Sequence, residues 1–123
     1  MQGKQHPLAA DGFESRIDRR DGRVHLSLFG ELDVGRRDQF QVAFRQARDG
    51  KSDGLVIDLS GLTFIDSTGL GLIISAWTEA KREGFALEMV PGSADQVRRT
   101  LALTGIDRFI PLAGGSEDRP ALP

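Results

Sequence analysis

Asp33, Asp66 and Ser67 are the candidate reactive residues of this 123-residue chain. Ser67 stands at or next to the N-cap of a predicted helix, where free backbone N–H groups favour an anion. Its hydroxyl can cap that helix, and it can also accept a phosphoryl group. If the strands before them are neighbours, the two carboxylates approach each other and suit acid–base catalysis, a metal site or two solvated caps. The pattern alone leaves these interpretations open.

The composition removes most catalytic alternatives. The chain has no cysteine, which excludes a zinc–thiolate site, a disulfide scaffold and a cysteine nucleophile. Its only histidines are His6, near the amino terminus, and His25, so a two-histidine metal site or a Ser-His-Asp triad is close to excluded. No third metal ligand, phosphate-binding glycine loop or Walker pattern accompanies the two aspartates. We therefore expect no catalysis, no cofactor and no metal.

Charge and hydropathy are those of an ordinary globular domain. Charged residues make up 28% of the chain and the net charge is −2, a balance that implies no general affinity for nucleic acid. The apolar stretches are far shorter than the roughly 20 residues that span a bilayer. No charged start followed by an apolar block marks a signal peptide. We expect a cytoplasmic protein that binds neither nucleic acid nor membrane.

The hydrophobic pattern that must position the polar residues alternates between strands and helices. Val24, Leu26 and Leu28 alternate with their neighbours as in a half-buried strand, and the preceding Asp21-Gly22 pair is typical of a hairpin turn. The order β-β-α-β-α-β-α-β is predicted, with strands at 13–17, 24–29, 55–59, 85–90 and within 106–112. Such alternation favours an α/β fold with a mixed, mostly parallel central sheet and crossover helices.

Caps and composition set the predicted boundaries. Asp33 is expected to cap a first helix that runs to about Arg48, after residues 30–33 break the strand. Ser93 is expected to cap the third helix, with Gln96 completing a capping box. The aperiodic segments at both ends predict a flexible leader at 1–12 and a flexible tail at 113–123, which leaves one domain at 13–112.

The second helix is more apolar than one core face requires. A rotation of about 100° per residue predicts a core side made of Leu70, Ile73, Ile74, Trp77 and Ala80. Leu72 falls on the opposite side, where it is either an incidental surface residue or the edge of a protein-binding patch. Gly69 and Gly71 each cost about 1 kcal/mol in a helix relative to alanine. Their presence indicates that a backbone or a partner comes close.

Two short motifs occur at the ends of the second and third strands. They are LFGELD at 28–33 and FIDSTGLG at 64–71. In this strand–helix order they resemble the bacterial anti-sigma factor antagonists, the single-domain members of the STAS family. The resemblance covers about residues 13–112 and implies a small α/β domain with a central mixed sheet. Many family members end with a helix after the last strand, for which Gly114, Gly115 and two prolines leave little room here.

The resemblance also implies a function. In this family the unmodified antagonist binds an anti-sigma factor, a serine kinase of the histidine-kinase-like ATPase superfamily, and thereby frees the sigma factor. The kinase uses ATP and Mg²⁺ to phosphorylate the serine after the motif aspartate, here Ser67. The phosphorylated form no longer binds, and a phosphatase resets it. The expected partner-binding rim consists of Asp33, Asp66, Thr68, Gly69 and Leu72.

Three hypotheses follow. The first is a phosphorylatable binding module, monomeric or weakly dimeric, with no catalysis of its own. The second is a non-switching STAS interaction subunit of a transporter or signalling complex, and the Asp66-Ser67 pair argues against it because a structural module needs no hydroxyl there. The third is a small enzyme that uses Asp33 and Asp66, against which the lack of cysteine and the scarcity of histidine argue. Either Ser67 or Thr68 could receive the phosphate.

Overall fold

The computed structural model of the chain describes residues 12–49 and 54–113. The predicted leader and tail therefore lie outside the described residues, apart from Gly12 and Ala113. The described elements are β1 (Phe13–Arg20), β2 (Arg23–Leu32), a 3-10 turn (Val34–Arg36), α1 (Arg37–Arg48), β3 (Gly54–Ile65), α2 (Ser67–Glu83), β4 (Ala86–Val90), α3 (Asp95–Thr104) and α4 (Ile106–Phe109). None of these helices has the length and hydropathy required of a transmembrane segment.

One mixed sheet forms the centre of the domain, with the strands in the order β1-β2-β3-β4. β1 and β2 are antiparallel, and the two residues that join them, Asp21 and Gly22, both have positive φ as a tight hairpin turn requires. β2, β3 and β4 are parallel, so the segments between them cross over through α1 and α2. The predicted α/β class with a mostly parallel mixed sheet is confirmed.

The core lies on one face of this sheet. Leu26, Ile57 and Met89 stand side by side across the three parallel strands, and each is completely buried. Phe40 and Phe44 cover this face from α1, as their four-residue spacing predicts, and their rings lie 6.0 Å apart. Because α1 and α2 also pack against each other, α2 has two buried neighbours, the sheet and α1.

The second neighbour of α2 corrects the predicted helix face. Leu72, predicted to be exposed, is only 4% exposed, whereas Ile74, assigned to the core, is 39% exposed. The prediction placed all burial against the sheet and treated the side toward α1 as solvent. With α1 beside it, the helix buries Leu72 and Ala76 on that side. Leu72 is therefore a core residue, and the prediction that it is exposed is wrong.

The parallel strands are longer than predicted. Residues 30–33 do not break β2, which continues to Leu32 because Gly30 takes a φ of +94° and the register with β3 shifts on either side of it. β3 likewise continues past its predicted end at residue 59 to Ile65. Both strands therefore end directly at the two aspartates, which fixes where those side chains start.

The carboxyl-terminal part differs from the prediction in two places. Residues 106–112 form the short helix α4 and one isolated parallel bridge between Leu112 and Met89, not a regular strand. The buried residues Ile106 and Ile110 are four apart, a spacing that fits one helical turn as well as a strand in so short a segment. The predicted Ser93 cap is also wrong, since Ala94 is the N-cap of α3 and makes no side-chain cap.

Candidate functional site

The two aspartates meet at the carboxyl-terminal edge of the sheet. Leu32 and Ile65 are paired neighbours at the ends of β2 and β3. Asp33 and Asp66 follow them directly, and the Asp66 backbone N–H donates to the Leu32 carbonyl oxygen at 3.4 Å. We call this corner, made of Asp33 and residues 66–69, the rim. The predicted juxtaposition of the two strand ends is confirmed by this register.

Both carboxylates at the rim are helix caps. Asp33 Oδ1 accepts from the Gly35 backbone N–H at 3.1 Å and caps the 3-10 turn. Asp66 Oδ1 accepts from the Gly69 backbone N–H at 2.9 Å and caps α2. Within the described ranges, no three His, Asp or Glu side chains are grouped so that they could hold a metal ion. Of the three interpretations of the carboxylate pair, the geometry supports the one in which they start helices.

Ser67 is the first helical residue of α2 and not its cap. Its side chain is exposed, and in the described part of the chain its hydroxyl makes no hydrogen bond. Asp66 already caps α2, so the Ser67 hydroxyl stabilises no part of the fold that the structure describes. It projects where the free backbone N–H groups of the first turn of a 17-residue helix favour negative charge. The site therefore offers an accessible nucleophilic hydroxyl beside a carboxylate.

Thr68 shares the first turn with Ser67 but is less accessible. Its side chain is half-buried, whereas that of Ser67 is exposed. Of the two hydroxyls, that of Ser67 is therefore the easier one for another molecule to reach.

The two glycines at the start of α2, Gly69 and Gly71, differ in their surroundings. A methyl group at Gly69 would overlap the Leu32 carbonyl oxygen and lie 2.8 Å from Ile65 Cγ1, so glycine is needed for α2 to approach the end of β2. A methyl group at Gly71 would meet nothing within 4 Å, and the residue is exposed. The expectation of a close backbone is thus explained at Gly69. The fold gives no reason for the glycine at position 71.

Gln96, on α3, bonds to the end of β3 next to the rim, and its predicted role in a capping box is wrong. Its side-chain oxygen accepts from the Ile65 N–H at 3.0 Å, and its side-chain nitrogen donates to the Ile65 carbonyl at 2.8 Å. Because β4 pairs with β3 only as far as Asp58, this amide replaces a strand partner at the end of β3. The capping-box spacing pointed instead to the start of its own helix, and no signal in the sequence indicates the contact with Ile65.

A family model described as the STAS domain matches residues 14–118. A comparison with curated protein sequences gives no match. The matched range includes both motifs and every residue of the rim.

Solved structures with the same fold include several anti-sigma factor antagonists. One from Mycobacterium paratuberculosis is 27% identical, with a TM-score of 0.74 over 89% of this chain and 92% of that one. The antagonist SpoIIAA in its unphosphorylated form is 21% identical, with a TM-score of 0.59 over 85% and 94% of the two chains. SpoIIAA from Bacillus in its phosphorylated form is 20% identical, with a TM-score of 0.59 over 85% and 96%.

Proposed function

The chain belongs to the STAS domain family, and on that premise we propose that it is an anti-sigma factor antagonist switched by phosphorylation. In this proposal the unphosphorylated form binds an anti-sigma factor serine kinase and so releases a sigma factor. The kinase transfers the γ-phosphoryl group of ATP to Ser67, which ends binding, and a phosphoprotein phosphatase restores the active form. The protein itself is a binding module and not an enzyme.

The observation that carries the proposal is the unused hydroxyl of Ser67. Asp66 caps α2, so the exposed Ser67 side chain is not needed for folding and is accessible to a kinase. Support also comes from the similar structure of SpoIIAA, an anti-sigma factor antagonist that has been solved in unphosphorylated and phosphorylated forms.

Electrostatics explain how a phosphate at Ser67 would end binding. Phosphorylation adds about −1.5 to −2 charges at neutral pH, directly next to the Asp66 carboxylate. The α2 N-terminus offsets only about 0.3–1 kcal/mol of this for an exposed charge. Desolvating the phosphate inside a protein interface adds a further cost. A hundredfold loss of affinity needs only about 2.8 kcal/mol, so one phosphate is sufficient.

The proposal is tested by phosphorylation in vitro. The full-length chain is incubated with ATP, Mg²⁺ and a purified anti-sigma factor serine kinase from the same host, and its intact mass is measured. We expect the mass to rise by one phosphoryl group. Ser67→Ala should abolish the change, and Thr68→Ala, which keeps the neighbouring hydroxyl, should retain it. Complex formation without any phosphorylation would favour a non-switching interaction subunit instead.

A further inference from the structure

A narrow cleft of about 180 Å³ lies between α1 and α2. Its floor is apolar and is made by Phe40 and Phe44 from α1 and by Leu72 from α2, while Arg45 and Ser75 stand at its opposite lips. The volume is below the roughly 300–1,000 Å³ of small-molecule sites. It suits the side chain of a protein partner, the kind of pocket in which interface anchors are found.

The mouth of the cleft carries an unneutralised positive charge. The neighbouring Arg48 is fully engaged, since it pairs with Glu79 and Glu83 and stacks 4.5 Å from the centroid of the Phe85 ring. Arg45 is exposed and has no ion pair or hydrogen bond in the described part of the chain. A ligand that enters the cleft therefore meets an apolar floor, the mutually paired Arg48 and Glu79, and the unpaired guanidinium of Arg45. This combination favours an apolar group beside a carboxylate.

The cleft is continuous with the surface around Ser67. Ser67, Gly71 and Ser75 are spaced four residues apart on α2, and all three are exposed. Eight residues of helix separate Ser67 from Ser75 by about 12 Å. Gly71 leaves the surface between them open among the described residues, because a methyl group at that position would meet nothing within 4 Å. A partner that contacts Ser67 and follows α2 along these residues would reach the cleft at Ser75.

We propose that this cleft is the anchoring site of the anti-sigma factor, which inserts an apolar side chain flanked by an aspartate or glutamate that pairs with Arg45. The inference rests on the proposed function, because it extends the same contact along α2. It assigns two separate tasks to the interface. The cleft supplies affinity, and Ser67 supplies the switch.

The test compares charge reversal inside and outside the cleft. Affinities of the purified anti-sigma factor kinase for the full-length chain and its variants are measured by calorimetry. Arg45→Glu should weaken binding at least tenfold, and Arg45→Gln should weaken it less. Arg99→Glu is the matched control, since Arg99 is also exposed and unpaired in the described residues but lies on α3. It should change affinity less than twofold. Melting temperatures verify that each variant is folded.

The possible outcomes separate this inference from the proposed function. If the wild-type chain is bound and phosphorylated and Arg45→Glu binds equally well, the cleft inference is wrong and the proposed function stands. If no such kinase binds the wild-type chain, the proposed function fails, and the inference fails with it. If Arg45→Glu leaves kinase binding unchanged but alters self-association in sedimentation, the occupant is a second copy of the chain, which also overturns the inference.

Discussion

At the start of α2, Asp66 caps the helix and Ser67 carries a hydroxyl that is available for modification. The Asp66 carboxylate satisfies the Gly69 N–H at the start of α2, and the Ser67 hydroxyl is left without a structural bond in the described residues. A hydroxyl that stabilised the helix could not be modified without cost to the fold. Under the proposed function, this separation would let a phosphate at Ser67 act at the interface and leave the domain intact.

This division of tasks predicts unequal effects of alanine at the two positions. Asp66→Ala removes the cap of α2 and should lower the free energy of unfolding by about 0.5–2 kcal/mol. Ser67→Ala removes an exposed hydroxyl with no structural bond and should change it by less than about 0.5 kcal/mol. Urea denaturation of both variants measures the difference. An equal loss for Ser67→Ala would mean that its hydroxyl does stabilise the fold.

Gly69 and Gly71 provide a second matched pair. Gly69→Ala forces a methyl group into the Leu32 backbone, which cannot move aside as a side chain can, and we expect a loss of about 1–3 kcal/mol. Gly71→Ala meets open space in a helix interior and should stabilise the free domain by up to about 1 kcal/mol. Thermal melts of the two variants should therefore shift in opposite directions. A destabilised Gly71→Ala variant would show that the fold itself requires this glycine.

At the scale of elements, α2 is the part of the fold that depends most on its context. Its polar first turn is fixed by its own sequence, through Asp66 and Gly69. Its buried face depends on α1, which lies about 30 residues earlier in the chain. A rotation diagram locates one apolar side but cannot tell how many neighbours a helix has. For this reason Leu72 was predicted at the surface.

The corrected helix face is testable with a pair of neighbouring side chains. Leu72→Ala should leave a cavity between α1 and α2 and cost about 2–5 kcal/mol. Ile74→Ala, two residues further along the same helix but 39% exposed, should cost clearly less than Leu72→Ala. Chemical denaturation of both variants distinguishes the two helix faces. A larger loss for Ile74→Ala would mean that Ile74 is the buried residue and Leu72 the exposed one.

Local signals explain how much of the fold the sequence predicts. The Asp21-Gly22 hairpin, the Asp33 cap and the αL glycines Gly84 and Gly105 that end α2 and α3 are encoded by residues close to each feature. The exception is Gln96, whose partner Ile65 lies 31 residues away in the chain. Its spacing from Ser93 matches a capping box, but its side chain bonds to the backbone of Ile65 instead.

The candidate site is predictable because its residues come from two short, continuous motifs. Each motif is contiguous in sequence, and the parallel register between β2 and β3 is enough to bring the two together at one edge. What the sequence does not reveal is which acid or hydroxyl makes the cap, because Asp66 and Ser67 are both good cap residues. The α1–α2 cleft depends on packing between helices and has no local signature.

At the scale of the whole molecule, the helices α1 and α2 share one face of the sheet, while the other face carries several charged side chains beside the buried Val56. On that second face Arg23 pairs with Glu88, and Arg16 lies 5.4 Å from the centroid of the Phe29 ring. The edge strand β1 is largely exposed and rich in charged residues, which disfavours pairing with another sheet edge.

The polar face also makes stability depend on pH. Partial burial lowers the pKa of His25 below 6.5, and the charges of Arg20 and Arg23 lower it further, against smaller opposing effects of Asp18 and Asp58. The folded state therefore binds this proton less readily than the unfolded state does. Its contribution to stability is lost as the pH falls through about 6.5 toward the lower folded-state pKa.

We expect His25→Gln to remove this contribution. The free energy of unfolding of the wild-type chain should decrease more than that of His25→Gln between about pH 7.5 and pH 5.5. Urea titrations at the two pH values measure the difference, and the other titrating groups cancel because both proteins contain them. A parallel decrease in the two proteins would mean that His25 has the same pKa in both states.

Whether phosphorylation of Ser67 ends binding is tested by calorimetric binding of the anti-sigma factor kinase to the unphosphorylated and the Ser67-phosphorylated chain, with amide exchange measured on both forms. We expect phosphorylation to weaken binding at least a hundredfold, or by about 2.8 kcal/mol, while exchange protection in α2 and the sheet stays the same. Equal affinity of the two forms would contradict the switch. Weakened binding accompanied by a global loss of protection would contradict its location at the interface, because the phosphate would then act by unfolding the domain.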